Sequence, residues 1–163
     1  MALTRINNQA LINAEGTVLQ LQTTRLNTSI ASSTTNGTWV DIGTVSITPK
    51  SSSSKIYVSW NIHVYAQYEN PQNWVAACVR VLRDTTEIYS DLANGYSYGH
   101  NLEGATSRTM GWISNDYHDS PSSTSSITYK IQGTRSHSDD GLIYFNNPSY
   151  AGGGRITVME IAG

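Results

Sequence analysis

The sequence predicts an all-β protein whose strands form an antiparallel β-sandwich, and three observations support this prediction. Ser, Thr and Asn fill 52 of the 163 positions, and these residues favour strands and turns because their side chains compete for the backbone hydrogen bonds of a helix. No stretch carries the sustained i, i+3, i+4, i+7 apolar stripe of an amphipathic helix. Apolar and polar residues instead alternate in several segments that are bounded by turn residues.

The clearest strand is predicted from Lys55 to Ala66. Its apolar face carries Ile56, Val58, Trp60, Ile62, Val64 and Ala66, and its polar face carries Tyr57, Ser59, Asn61, His63 and Tyr65. A period of two indicates a strand with one buried face. Shorter segments with the same pattern lie at 17–23, 126–132 and 142–145.

Two segments are apolar on both faces, 74–82 and 156–161. Such a strand needs cover on each side, and in a small protein a second subunit commonly provides it. We therefore expect an oligomer interface at Val75, Ala77, Val79, Val81, Val158 and Ile161. Between positions 40 and 47 the apolar parity changes across Gly43, which predicts a β-bulge at that glycine.

Turn sequences such as Asn36-Gly37, Asn94-Gly95 and Ser120-Pro121 separate the strands. About eight strands with turns between them favour a jelly roll. Residues 1–15 lack a strand period, and we interpret them as an N-terminal arm that precedes a sandwich domain over 16–163.

Composition excludes several functional classes. The formal net charge is −2 and only 13% of the residues are charged, so no basic surface favours nucleic acid or an anionic membrane. No apolar run approaches the roughly 18–20 residues of a membrane span, and no secretory signal is expected in residues 1–13. Cys78 is the single cysteine, which excludes a disulfide framework and favours a small buried apolar residue.

Several segments resemble a known group of proteins. The start Met-Ala-Leu-Thr-Arg-Ile-Asn-Asn-Gln-Ala is similar to that of small virion proteins of marine and freshwater phages, above all cyanophages. Gly16-Thr-Val-Leu-Gln20, the segment from Ser46 to Val58, Ser126–Lys130 and the closing Ile156–Gly163 resemble strands of the β-domain in those proteins. Residues 65–117 match nothing in the group.

The resemblance implies a jelly roll like that of tumour necrosis factor, with three copies forming a trimer. It implies a role as a fibre head, tail appendage or capsid decoration in the virion, and no enzymatic chemistry. It also implies no cofactor.

Two patterns formally suggest chemistry. Gly95-Tyr-Ser97-Tyr-Gly99 matches the nucleophile elbow of α/β-hydrolases, with Asp116 and His137 in the required order. The long helix that must follow Ser97 is not predicted, so we expect no catalytic residues. Asp116, His118-Asp119 and the segment 137–140 lack the spacing of known metal sites, so we expect no bound metal.

The aromatic composition indicates a binding surface. Ten Tyr and four Trp against one Phe favour rings with a polar group, which suit interfaces and hydrated binding sites. The residues in or beside predicted loops are Tyr96, Tyr98, His100, Trp112, Tyr117 and His118. Packing between subunits is the ordinary use for such side chains, and stacking on a host-surface glycan is the functional use that we assign to them as a hypothesis.

The sequence thus predicts a non-enzymatic virion protein that forms a homo-oligomer, with a trimer expected, and acts in host attachment. A capsid decoration protein that stabilises the head is the alternative, and a Ser-dependent hydrolase is a third and weaker one. In the first two cases the arm would bind other virion proteins. Its apolar contacts would be Leu3, Ile6, Leu11 and Ile12.

Overall fold

A computed structural model describes residues 14–32, 36–68, 76–91, 107–136, 142–149 and 153–163. These residues form β-strands and turns, with no helix among them. The strands are β1 (Val18–Leu26), β2 (Ile30–Ala31), β3 (Val40–Ile47), β4 (Lys55–Tyr68), β5 (Ala76–Arg83), β6 (Thr86–Ser90), β7 (Ser107–Asp119), β8 (Ile127–Ser136), β9 (Leu142–Phe145) and β10 (Gly154–Ile161).

The strands form two antiparallel sheets that pack as a sandwich. Sheet I has the order β7-β4-β10-β1, and the short strands β9 and β2 continue it beside the second half of β4. Sheet II has the order β3-β8-β5-β6. These two orders are those of a jelly roll, in which eight strands are divided between two sheets. The predicted all-β jelly-roll sandwich is therefore confirmed.

The core lies between the sheets and is built mainly by alternate side chains of the long strands, such as β4 and β10. On β4 the side chains of Ile56, Val58, Ile62 and Val64 are fully buried, as the apolar parity of this segment predicts. On β3 the register against β8 shifts between Asp41 and Gly43. The bulge expected at that glycine is thus present, and it keeps the apolar side chains before and after it on the inner face.

β5 is buried on both faces within a single chain. Ala77, Val79 and Val81 belong to the core between the sheets, and Cys78 on the opposite face is also fully buried. Asp91 lies beside the same strand, where its carboxylate accepts a hydrogen bond of 2.6 Å from the Val79 N–H. No second subunit is needed to cover this strand.

The sandwich has two distinct ends. At one end, called the proximal end here, lie residues 14–17, the β3–β4 connection 48–54, the β7–β8 connection 120–126 and residues 162–163. At the opposite, distal end, β4 finishes at Tyr68 beside the first residue of β7, and β8 finishes at Ser136 beside the first residue of β5. The chain therefore enters the sandwich at the proximal end.

Candidate interaction surfaces

The outer face of sheet I, which points away from sheet II, carries an unusual group of side chains. Met110 and Trp112 on β7 are 56% and 50% exposed. Their cross-strand partners on β4 are Tyr65 and His63, and Tyr144 on β9 lies opposite Tyr65 from the other side. These five residues, which we call the aromatic patch, bring four rings and one thioether together on this face. Met110 and Trp112 are its exposed members, whereas His63 and Tyr65 are buried.

Ring contacts hold the aromatic patch together. The His63 ring meets the Trp112 ring edge to face at 5.2 Å, and the Tyr65 and Tyr144 rings lie 5.8 Å apart. His63 is only 3% exposed, and burial lowers the pKa of its imidazole, which favours the neutral ring. Met110 and Trp112 are the exposed members of the patch, and exposed tryptophan is of the kind enriched at interfaces.

Polar side chains continue the same face toward the proximal end. Asn61 on β4 donates a hydrogen bond of 2.6 Å to the Ser114 hydroxyl on β7. Next along β7 is Asp116, which is exposed and forms no ion pair with any described residue. His118 follows, and its ring packs edge to face against Tyr57 at 5.0 Å.

The six residues predicted to bind a glycan do not form one site among the described residues. Trp112 and His118 share the outer face of sheet I, but Tyr117 points inward and packs against the core. Tyr96, Tyr98 and His100 lie outside the described residues. The expectation that residues 112–118 belong to a loop was wrong, because they form part of the long strand β7.

The predicted oligomer interface also needs correction. Ala77, Val79, Val81 and Val158 are fully buried in the core of one chain, so they cannot contact a partner without unfolding of the sandwich. Ile161 is half-buried near the proximal end, and Val75 lies outside the described residues. The pattern of a strand apolar on both faces is explained within the chain, because Cys78 on the face opposite the core is also fully buried.

Alternation along β7 separates its acidic and histidine side chains, which the sequence offers as candidate metal ligands. Asp116 and His118 point outward, whereas Asp119 points inward, where Arg83 lies 2.9 Å from its carboxylate and the Tyr129 hydroxyl donates a 2.7 Å hydrogen bond to it. No group of three metal-ligating side chains occurs in the described part of the chain. Residues 137–140 lie outside it.

Of the residues in the hydrolase-like pattern, only Asp116 can be placed. It projects from the middle of a strand in sheet I, while Ser97 and His137 lie outside the described residues. The part of the chain that the structure describes contains no helix able to cross a membrane.

Sequence reasoning missed Met110, Tyr65 and Tyr144 as members of the aromatic patch, and it missed β7 as a strand. The inner face of β7 explains this, because it carries Gly111, Asn115 and Asp119 in addition to Ile113 and Tyr117, so no apolar alternation is visible. The outward positions are 110, 112, 114, 116 and 118, and they begin with two large apolar residues at a spacing of two. That spacing is the signal that could have identified β7 as a strand.

Comparisons with known proteins give only distant structural likenesses. No protein-family model matches the sequence, and no curated protein sequence matches it. Among solved structures, a T13 particle of infectious bursal disease virus aligns over 99% of this chain and 40% of its own, with 9% identity and a TM-score of 0.49. The Gx strain of the same virus aligns over 91% and 38%, with 9% identity and a TM-score of 0.48.

A third likeness is to a VP2 subviral particle of that virus, over 86% of this chain and 36% of the other, with 12% identity and a TM-score of 0.47. The chain thus spans about two-fifths of the length of the viral chains it aligns with. At these TM-scores and identities the likenesses carry no conclusion about what this chain does.

Proposed function

We propose that this protein is a non-enzymatic structural component of a bacteriophage virion, a homo-oligomeric fibre head or tail appendage that acts in host attachment. The observation that carries this proposal is the polarity of the sandwich. The chain enters at the proximal end through residues 14–17, where the Gly16 N–H donates a 2.8 Å hydrogen bond to the Ala162 carbonyl. Residues 1–13 therefore join the sandwich at that end.

The amino-terminal segment supplies the attachment to the particle. Leu3, Ile6, Leu11 and Ile12 give it apolar side chains, and Asn7, Asn8, Gln9 and Asn13 give it side chains that can hydrogen-bond to the backbone of another protein. Chain termini become ordered when such contacts bind them. Attachment through this segment directs the distal end of the sandwich away from the particle.

The distal end supplies the contact with the host. Three chain segments outside the described residues, 69–75, 92–106 and 137–141, connect strands whose ends lie there. Their sequences include Trp74, Tyr96, Tyr98 and His100, and such rings stack on the apolar faces of sugars. A host-surface glycan is the ligand that this composition fits.

A capsid decoration protein is the second candidate. The amino-terminal segment would then bind the outer shell of the head, and the same polarity would leave the distal end in solvent. A cryo-EM map of the virion distinguishes the two candidates directly. Density for the sandwich on the tail supports host attachment, and density on the head overturns it in favour of decoration.

Deletion of residues 2–13 tests the attachment segment. The core is made from residues 26–158, so we expect the truncated protein to fold, with the circular dichroism and unfolding midpoint of the full chain. Particles assembled with it in place of the full chain should lack the protein. The quadruple replacement of Leu3, Ile6, Leu11 and Ile12 by Ser keeps the length of the chain and is the matched control. This variant should also be absent from the assembled particles. Normal incorporation of either variant would overturn the attachment role.

A further inference from the structure

β7 is a long and regular edge strand. It is 13 residues long and pairs with β4 along one side without a register shift. No other described strand pairs with its second side. Natural edge strands are commonly short, bulged, or carry charged residues or Pro. Ser107–Asp119 has no bulge, Lys or Pro, and its charged residues are Arg108, Asp116 and Asp119.

The outer face of this edge carries two exposed apolar side chains. Met110 and Trp112 are 56% and 50% exposed, which is similar to Val18 and Leu21 on β1. A long, regular edge beside exposed apolar side chains is the surface on which an antiparallel strand adds to a sheet. Backbone hydrogen bonds then supply the affinity, and alternate side chains supply the specificity.

We propose that the occupant is β7 of a second copy of this chain, paired antiparallel about a two-fold axis that passes beside Trp112. Sheet I of one copy and sheet I of the other copy then form one continuous sheet across the dimer. The inference rests on the homo-oligomer of the proposed function and names its contact surface. The contact is isologous, because each copy offers the same strand to the other.

Side-chain complementarity selects this register. With Trp112 opposite its own copy, Met110 lies opposite Ser114, and Asp116 lies opposite position 108, an arginine in the sequence. Asp116 has no ion-pair partner among the described residues of its own chain, and in this register a residue of opposite charge type stands at the facing position of the second copy. A register centred on Asp116 would place two carboxylates opposite each other, which is destabilising. A register centred on Ser114 would place Asp116 opposite Trp112.

The two-fold contact has a consequence for the number of subunits. Two copies give a dimer of twice the chain mass of 17.8 kDa. The trimer that the resemblance implies is compatible with the contact only in an assembly of six chains, in which β7 joins two trimers.

Cysteine scanning of β7 tests the register. Directly opposed residues of an antiparallel pair have Cα atoms about 4.5–5.5 Å apart, which is within the range of a disulfide. Trp112→Cys should therefore give a disulfide-linked dimer on mild oxidation. Ser114→Cys is the matched control, because it lies four residues along the strand from its own copy, about 13 Å away. It should stay monomeric on a non-reducing gel. The native thiol of Cys78 does not interfere, because it is fully buried.

A second pair of variants tests the contact without a new bond. Trp112→Lys places two ammonium groups at the axis and should convert the assembly to its half-size form in light scattering at micromolar concentration. Leu21→Lys, at a position that is 52% exposed on β1 at the opposite edge of the same sheet, should keep the native mass. Circular dichroism of each variant confirms that the sandwich is folded.

The outcomes separate this inference from the proposed function. If Ser114→Cys forms the disulfide-linked dimer and Trp112→Cys does not, the proposed register is overturned. If neither variant forms it, the β7 contact is overturned. A wild-type oligomer whose mass is unchanged by Trp112→Lys overturns the β7 interface while the homo-oligomer stands. A wild-type monomer overturns both, whereas attachment to the virion is tested separately by deletion of residues 2–13.

Discussion

Two inward-facing carboxylates of this sandwich are held by donors from several parts of the chain. Glu160 on β10 accepts hydrogen bonds from the Gln20 side chain at 2.6 Å, the Lys50 N–H at 2.7 Å and the Ser54 hydroxyl at 2.7 Å. It thereby connects β1, β10 and the β3–β4 connection at the proximal end. Asp119 acts in the same way between the sheets, through Arg83 and Tyr129.

The pKa of Glu160 makes its contribution to stability dependent on pH. Burial alone would raise this pKa, but the hydrogen bonds from Ser54, Gln20 and the backbone of Lys50 and Ser51 outweigh burial and lower it below its ordinary value. A lowered pKa in the folded state stabilises the protein above the pKa of the unfolded chain. That contribution is lost as the pH falls through the folded-state pKa.

Glu160→Gln should lower the free energy of unfolding by about 1–3 kcal/mol at pH 7. The side-chain NH2 of the new glutamine would face groups that donate hydrogen bonds to Glu160, namely the Gln20 amide, the Lys50 N–H and the Ser54 hydroxyl. Urea unfolding at pH 7 and at pH 3 measures this, and the difference between wild type and variant should shrink at pH 3. Glu87→Gln is the control, since its ion pair with Arg80 is exposed at the surface and should contribute little. A constant difference at both pH values would contradict the prediction.

Asp91 acts in the opposite direction in the same pH scan. Burial raises its pKa to about 6 despite the hydrogen bond from the Val79 N–H. The folded protein therefore binds a proton more readily than the unfolded chain, and this group favours folding more as the pH falls from 7 toward 4. Comparison of Glu160→Gln with wild type cancels the effect of Asp91, which both proteins share.

Within the strands, one glycine is required by a close approach between the sheets. Gly133 on β8 is buried beneath the Phe145 ring of β9, and a Cβ atom there would lie 2.6 Å from the Cε2 of that ring and 2.7 Å from the Cδ1 of Ile42. These neighbours are core side chains from both sheets, so neither can move into solvent. The glycine thus sets how closely β8 packs on sheet I.

Gly133→Ala should destabilise the protein by about 1–3 kcal/mol, the usual cost of an added methyl group in a packed core. Gly111→Ala on β7 is the matched control, because no atom lies within 4 Å of its added Cβ. That variant should be neutral or slightly stabilising, since alanine restricts the unfolded chain. Thermal unfolding of the two variants under the same conditions makes the comparison. Equal midpoints for the two variants would contradict it.

At the scale of the whole molecule, the sandwich has a proximal end for chain entry, a distal end with long connections, and a 13-residue edge strand, β7, whose second side no described strand pairs with. If two copies pair through that edge, folding and association are coupled, because only the folded strand offers the edge. A protein stabilised by association unfolds at a higher temperature when its concentration is raised.

We therefore expect the thermal unfolding midpoint to rise as the concentration increases from about 1 to about 100 μM, and we expect Trp112→Lys to abolish this rise. Differential scanning calorimetry over that range provides the measurement. Leu21→Lys should retain the concentration dependence, because its side chain lies on β1 at the other edge. A wild-type midpoint that is independent of concentration would argue against association in this range.

Strands with one buried face could be predicted from the sequence, and strands with mixed inner faces could not. β4 is predicted closely because every second residue from Ile56 to Ala66 enters the core. β7 is not predicted from the sequence, because three positions of its inner face are not apolar, namely Gly111, Asn115 and Asp119. Asn115 donates a hydrogen bond to the Tyr89 hydroxyl and Asp119 binds Arg83, so polar residues are satisfied there by partners that are remote in sequence.

The sequence by itself determined the all-β class, the bulge at Gly43 and the buried state of Cys78, because each depends on local parity, backbone freedom or residue type. Only the tertiary structure decided which surfaces are free. Ala77 and Val79 resemble interface residues in the sequence but are covered within the chain, while Trp112 becomes an exposed edge residue. Exposure depends on which strands pair and which remain at an edge, and pairing joins residues that are far apart in the chain.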